Sequence, residues 1–264
     1  MTAASRRTIA VIGGSGIAEL FGPTPPERHR VATPWGSPSG PIEEGTIGGV
    51  RVLFLPRHGP GHTIPPHRVN YRANVEALRS LGADAIVTVS SVGSLREELA
   101  PGTFVLPSQF VDCTKGRPTT FFDGGRVYHV SLADPFCPDL SAAAVDAGLA
   151  AGTPFAEGRT YVCVEGPRFS TRAESKLYRS FADVIGMTLV PEVTLARERA
   201  LCYACLAMVT DYDVWADRPV EAREIVEVMH SNAERMRRLL ATLVPRLAHP
   251  PTCRCARALD DAAV

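Results

Sequence analysis

The sequence predicts an α/β fold built on one largely buried sheet, and three observations predict it. Short β-branched, apolar runs alternate with segments of helical periodicity along the chain. Several of those runs are apolar at nearly every position, as strands are when both faces of a sheet are covered. The 264 residues suffice for one large core, and no repeat, low-complexity linker or long charge run divides them, so a single domain over 1–264 is the simplest organisation.

The strands are expected at Thr8–Ile12, Val50–Leu55, Ala85–Val89, Thr103–Leu106, Thr160–Val164 and Cys202–Val209. Asn70–Leu81 reads as a helix with Val75, Leu78 and Leu81 on one face. A second helix runs from about Leu140 to Ala150, a third begins near Thr171, and a fourth follows Pro191, a residue suited to a first helical turn. The longest spans about Val220–Leu247, with Ile225, Met229, Met236, Leu240 and Leu243 near helical spacing. The tail 249–264 starts with two prolines after His249 and reads as an extended appendage.

Composition excludes several function classes. Lys plus Arg equals Asp plus Glu at 28 each, so the chain lacks the basic footprint of non-specific nucleic-acid or acidic-membrane binding. No apolar run reaches the roughly 18 residues of a membrane span. The opening MTAASRRTIAVIGG runs into a strand and a glycine turn with no secretory h-region, which makes the cytoplasm the expected location. The seven cysteines read first as reduced, buried thiols. Cys202-x-x-Cys205 and Cys253-x-Cys255 raise zinc as an alternative, set aside because Cys202 opens the apolar run CYACLAMVT. No metal is therefore expected.

Chemistry gathers where strands end. The first strand runs into Gly13-Gly14-Ser15-Gly16, whose amides and hydroxyl suit an oxyanion, although the turn matches neither the dinucleotide fingerprint nor the P-loop. The second ends in Pro56-Arg57-His58-Gly59, with His62 and His67 close behind. An arginine fork suits phosphate, whereas a histidine metal triad lacks nearby carboxylates. The third ends in Ser90-Ser91-Val92-Gly93-Ser94. Three strand ends carrying anion-friendly groups converge where ligands of open α/β sheets collect. Thr210-Asp211-Tyr212-Asp213 follows the last strand, and a carboxylate pair there fits the far end of a substrate, where a proton is given or received. A solvated turn is the alternative for those aspartates.

These residues resemble a known family, the methylthioadenosine phosphorylase branch of the trimeric purine-nucleoside phosphorylases. The matching stretches are IGGSGI, PRHGPGHTIPPHRVNYRANVEAL, VGSLREELAPG, SQFVD, ADPFCP, EGPRFSTRAES, GMTLVPEVTLARE and MVTDYDVW, in order from Ile12 to Trp215. The resemblance implies a mixed, partly barrel-like central sheet flanked by helices, assembling as a homotrimer or homohexamer. It implies cleavage of methylthioadenosine by phosphate, a co-substrate, with no cofactor. It places phosphate on Ser15, Arg57, His58, Ser90, Ser91 and Thr188. It puts Met187 under the ribose, Phe169 over the base, Ser170 at the purine edge, and Asp211 and Asp213 on adenine as the catalytic and base-reading pair. His62 and His129 would line the 5' end of the nucleoside. Val220 and Ala222 would line the same pocket together with a neighbouring subunit, so that Ser170 and Ala222 bear on specificity.

An aspartate facing a 6-oxo group would set two acceptors against each other, so Asp211 favours a 6-amino purine. The rivals among enzymes are a broad purine-nucleoside phosphorylase acting on adenosine, inosine and guanosine, and a methylthioinosine phosphorylase; a non-catalytic nucleoside-binding or assembly protein on this fold is a rival of another class, against which the phosphate set and the acid stand. Gly186 stands where vertebrate-like members carry asparagine, and Ser90-Ser91-Val92 replaces a threonine-alanine-cysteine run. These features are similar to archaeal heat-stable members, whose likeness makes Cys137, Cys202, Cys205, Cys253 and Cys255 candidates for disulfides.

Overall fold

Nine strands hydrogen-bond into one sheet in the computed structural model, which describes residues 7–14, 20–22, 25–216, 222–260 and 262–264 and gives 222–227 and 229–231 by backbone alone. At one side lie β2 (Glu27–His29), β3 (Ile42–Ile47) and β4 (Val50–Pro56), followed inward by β1 (Thr8–Gly13) and β5 (Ala85–Ser94). Beyond β5 the order continues through β8 (Val184–Gly186), β7 (Phe155–Val164), β6 (Phe104–Cys113) and β9 (Cys202–Asp211). Strand β9 then pairs back onto β5, closing a five-strand barrel on the edge of the flatter sheet. The sheet is mixed: β1–β4, β1–β5, β5–β9 and β6–β7 are parallel, while β3–β4, β5–β8 and β6–β9 are antiparallel.

The solid apolar runs have the reason the sequence suggests. Along β1, Ala10 and Ile12 enter one core cluster while Ile9 and Val11 enter the other, all fully buried. Each such aliphatic side chain contributes about 1.5–3 kcal/mol by leaving water, so neither face of the strand tolerates a polar residue. The first cluster is covered by α1 (Tyr71–Ser80) and α4 (Leu189–Glu198), the second by α2 (Pro138–Ala150) and α5 (Ala222–Arg246).

Helix boundaries follow local chemistry. The Asn70 side chain accepts the Ala73 amide at 3.2 Å and starts α1, whose Val75 and Leu78 are fully buried. Thr171 and Glu174 form a reciprocal capping box that starts α3 (Arg172–Tyr178). Val190 is non-helical, so α4 turns regularly only from Pro191, as its sequence suggests. In α5, Met236, Leu240 and Leu243 are buried, whereas the side chains of Ile225 and Met229 lie outside the described residues.

The structure departs from the sequence expectations in length and at the margins. Strands β5 and β6 continue well past Val89 and Leu106, because their second halves become barrel staves whose polar residues read as post-strand turns. Ser90–Ser94 are thus strand residues, with a register shift against β9 between Val92 and Gly93. Strand β3 is carried by the polar sequence IEEGTI and β8 has three residues, so neither announces itself by apolar content. The tail 249–264 folds back: Asp139 of α2 accepts the Thr252 amide at 2.5 Å and the Cys253 amide at 2.9 Å. Its end pairs with the 127–129 segment through His129 N–H to Ala262 O at 2.7 Å and Val264 N–H to Val127 O at 3.0 Å.

Candidate active site

A cavity of about 520 Å³ opens where the flat sheet meets the barrel, at the carboxyl ends of β1, β4, β5 and β9. That volume falls in the range of small-molecule sites. Its wall brings together Arg57, His58, Ser90, Ser91, Thr188, Met187, Phe169, Ser170, Asp211 and Asp213, residues scattered over more than 150 positions of sequence. Ser15 and Val220 lie outside the described residues, as does the side chain of Ala222. His62 lines the cavity; His129 is exposed, absent from this wall and tied by its backbone to the tail.

One end of the cavity is built for an anion. Ser90 Oγ lies 3.2 Å from Thr188 Oγ1 and 3.2 Å from the Tyr161 hydroxyl, which clusters three hydroxyls. Gly186 makes this possible: a Cβ there would run into the Tyr161 hydroxyl, so Tyr161 requires glycine at this position. Arg57 is buried, and burial works against its charge, but the Glu192 carboxylate outweighs that and raises its pKa. Its fork is not free for bidentate work. Nε donates to Glu192 at 2.9 Å, Nη1 to Val89 O at 3.2 Å, and Nη2 to Thr88 Oγ1 and to Glu192 at 3.3 Å. One N–H of Nη1 is left for a ligand, so Arg57 offers one donor and a fixed charge rather than the paired donors its sequence position suggests.

His58 adds a different function. Its Nδ1 lies 2.8 Å from Ile64 O, which fixes the proton on Nδ1 and leaves Nε2 as an acceptor. Burial, then the nearby Arg57 charge, lowers its pKa to about 4, so the ring is neutral at pH 7. His62 stacks on it with ring centroids 4.4 Å apart. A neutral acceptor suits the hydroxyl of a monoprotonated oxyanion.

The opposite end holds the carboxylates. Asp211 Oδ2 accepts from Thr210 Oγ1 at 2.7 Å and Oδ1 from the Asp213 amide at 2.8 Å. Asp213 accepts from Ser175 Oγ and sits at φ +50°, a left-handed conformation that aspartate tolerates better than most residues. Burial raises the pKa of both carboxyls, and each aspartate's hydrogen bonds oppose it. A raised pKa in a cleft is what proton-sharing chemistry requires. Gly93 lets the pair approach the strand, since a Cβ there would stand 3.0 Å from Asp211 Oδ1. Between the two ends Met187 lies half-buried, and Phe169 is 41% exposed at the mouth.

Sequence reasoning missed two residues that hold this site in shape. Glu192, fully buried, anchors Arg57 and accepts from the Tyr203 hydroxyl at 2.9 Å. Its signal was the Pro-Glu of GMTLVPEVTLARE, which marks a helix start and hides a core carboxylate. Arg117, also buried, donates to the carbonyls of Met187 at 2.8 Å, Glu165 at 2.6 Å and Val190 at 2.5 Å, clamping the loops that carry the middle of the cavity. Nothing around Arg117 in the sequence marks it.

A sheet closed into a five-strand barrel, with hydroxyls and arginine at one end of its cavity and paired carboxyls at the other, defines a phosphorylase. The family model described as Phosphorylase superfamily matches residues 8–245, and the chain belongs to that family. It is 54% identical over 257 residues to the S-methyl-5'-thioadenosine phosphorylase of Thermofilum pendens, covering 97% of this chain and 98% of the relative. With the enzyme of that name from Pyrococcus furiosus it shares 51% over 251 residues, 95% of this chain and 97% of the other. Among solved structures it superposes on a methylthioadenosine phosphorylase sourced from an antarctic soil metagenomic library, with TM-score 0.93 and 42% identity over 99% of this chain and 93% of that one. A methylthioadenosine phosphorylase from Schistosoma mansoni in complex with adenine gives TM-score 0.90 and 36% identity over 96% of both chains.

Proposed function

We propose that this enzyme cleaves S-methyl-5'-thioadenosine with phosphate, giving adenine and 5-methylthioribose 1-phosphate. The observation that carries the reading is the polarity of one cavity: hydroxyls, arginine and a neutral histidine face paired, pKa-raised carboxyls across its length. Relatives of about half-identical sequence bear that activity in their names.

Phosphate binds to Arg57, His58, Ser90, Ser91 and Thr188, with Ser15 on the glycine turn. His58 Nε2 accepts the phosphate hydroxyl. Met187 supports the ribose, Phe169 covers the base, and Ser170 meets the purine edge. As the bond from C1' to N9 breaks, its electron pair leaves with adenine and the sugar takes oxocarbenium character, stabilised by the phosphate anion beneath it. Asp211 spans position seven and the adjacent 6-amino group, one oxygen delivering a proton to the ring nitrogen and the other accepting from the amino group, with Asp213 beside it as a second acceptor. A phosphate oxygen then bonds to C1', and the proton carried in by monoprotonated phosphate balances the one that adenine carries away. These steps draw on side chains and phosphate alone. The enzyme works in the cytoplasm as a trimer or a pair of trimers, with the 5' pocket of Ala222 completed by a neighbouring copy. The unit is one domain over 1–264, its tail 249–264 included.

The test is kcat/KM for methylthioadenosine, adenosine and inosine, with and without phosphate. The proposal expects phosphate-dependent preference for methylthioadenosine. Asp211→Asn then loses adenine-nucleoside turnover and gains on inosine by about tenfold, the value of relieving one buried mispairing of 1–3 kcal/mol. Comparable cleavage of inosine by the parent enzyme rejects the substrate assignment, and an Asp211→Asn variant with unchanged purine preference rejects the role of Asp211.

A further inference from the structure

Cys137, Cys202, Cys253 and Cys255 arrive at one point from distant parts of the chain. Cys137 precedes the first turn of α2, Cys202 opens β9, and the other two belong to the folded-back tail, Cys255 in the short helical turn Cys255–Arg257. Their sulfurs all lie within 4.8 Å of one another. The Cys253 sulfur is 3.5 Å from that of Cys137 and also 3.5 Å from that of Cys202. Two separate pairs would bring each sulfur close to one partner. Four sulfurs within 4.8 Å of one another, one of them equally near two others, instead suit a tetrahedron, and a tetrathiolate zinc with Zn–S of about 2.3 Å has sulfur–sulfur edges of about 3.8 Å.

We propose that these four cysteines form a structural zinc site, which fastens the C-terminal tail to the end of the sheet remote from the catalytic cavity. The spacings Cys202-x-x-Cys205 and Cys253-x-Cys255 raise zinc in the sequence, but read as two local pairs they do not show which thiols meet. Residues three apart on a strand face opposite sides, and Cys202 and Cys205 accordingly enter different core clusters. Cys205 takes no part in the tetrahedron; the tail supplies the missing ligands.

The surroundings fit the double negative charge of a zinc tetrathiolate. Arg7 is buried, its Nε and Nη2 have no hydrogen-bond partner among the described residues, and its charge acts on Cys202. An orphaned guanidinium at this depth is costly unless an anion lies within reach. The amino end of α2 adds a positive dipole behind Cys137. A zinc ion takes its cysteines as thiolates, so uptake releases protons.

Cys202 and Asp211 bound β9, nine residues apart, which at about 3.3 Å per residue separates the cluster from the catalytic carboxylates by roughly 30 Å. Metal and chemistry are thus separable by experiment. Full-length protein purified without chelator is assayed for metal, for reactive thiols and for intact mass. About one zinc per chain is expected, released by a thiol-binding mercurial, with cobalt replacing it to give the visible bands of a tetrahedral thiolate. Cys255→Ser loses the metal and melts earlier yet keeps kcat/KM at moderate temperature; Cys113→Ser, outside the cluster, keeps the metal. Two results overturn the proposal. One is metal-free protein lighter by four hydrogens, with four thiols that react only after reduction, which makes the cluster a pair of disulfides. The other is metal-free protein with all seven thiols free that takes up no added zinc or cobalt.

Discussion

Replacing Glu192 by Gln removes a charge from the most deeply buried part of the site while keeping its shape. The carboxylate accepts from Arg57 Nε at 2.9 Å, from Arg57 Nη2 at 3.3 Å and from the Tyr203 hydroxyl at 2.9 Å, and it has no exposed surface. Gln keeps one acceptor oxygen and turns the other into a donor aimed at donors. Breaking a buried ion pair from one side costs about 3–5 kcal/mol, because the remaining charge stays buried without compensation. For a domain of this size each kcal/mol moves the melting point by about 2–4 °C, so Glu192→Gln should melt roughly 6–20 °C below the parent. The same change unlocks the Arg57 fork, which swings toward other acceptors and no longer presents its N–H to phosphate at a fixed angle. The phosphate KM should then rise about tenfold, the kinetic equivalent of 1.4 kcal/mol, while the nucleoside KM stays within a factor of about three. Thermal melts and steady-state kinetics with each substrate varied in turn measure both. A Glu192→Gln enzyme with parental melting point and phosphate KM would refute the reasoning that Glu192 holds Arg57 in place.

Four further outcomes follow from the same geometry. His58, with a folded pKa lowered to about 4 against about 6.5 unfolded, is protonated more readily in the unfolded chain, so its contribution to stability is complete above about pH 6.5 and falls away toward pH 4, by up to about 3 kcal/mol. Melting points across that range should drop with pH in the parent and drop less in His58→Gln. Gly186→Ala puts a methyl against the Tyr161 hydroxyl and displaces it from Ser90; kcat/KM should fall at least tenfold, and Tyr161→Phe in the same chain should not restore it, because the ring itself stays in the way. Phe169→Ala removes an aromatic cover worth about 1–3 kcal/mol per base, raising the nucleoside KM by tenfold or more without changing the phosphate KM. Asp211→Asn shifts purine preference toward inosine, read as the ratio of the two kcat/KM values.

Much of this architecture is legible in the chain, and its limits have physical causes. TIAVI, VRVLFL and CYACLAMV declare themselves as strands because both of their faces are buried, and Asn70, Thr171 and Pro191 mark helix starts because each suits the backbone there. The residues around the cavity are recognisable because they stand at strand ends and carry groups with little other use in a core. What escapes is long-range. Glu192 reads as one more helical glutamate, and only the fold shows that its partner is 135 positions away. Arg117 satisfies carbonyls of residues 164–190, an arrangement that no local pattern encodes. The second half of β5 looks like a turn because Ser90 and Ser91 face the cavity, and that of β6 because Ser108, Gln109 and Asp112 face solvent rather than a second layer of helices.

Strand β5 is at once a member of the flat sheet, through β1, and a stave of the barrel, through β8 and β9. The hydroxyls of Ser90 and Ser91, proposed to meet phosphate, and Gly93, which seats the aspartates, are therefore marks on one ruler, only a few residues apart. Sliding that ruler to suit a larger sugar would spoil both ends at once, and bending it would open the barrel. New substrates must then be reached by exchanging side chains over an unchanged spacing. The distance between the two reacting partners is a property of backbone hydrogen bonding, and it should be the last thing in this enzyme to drift.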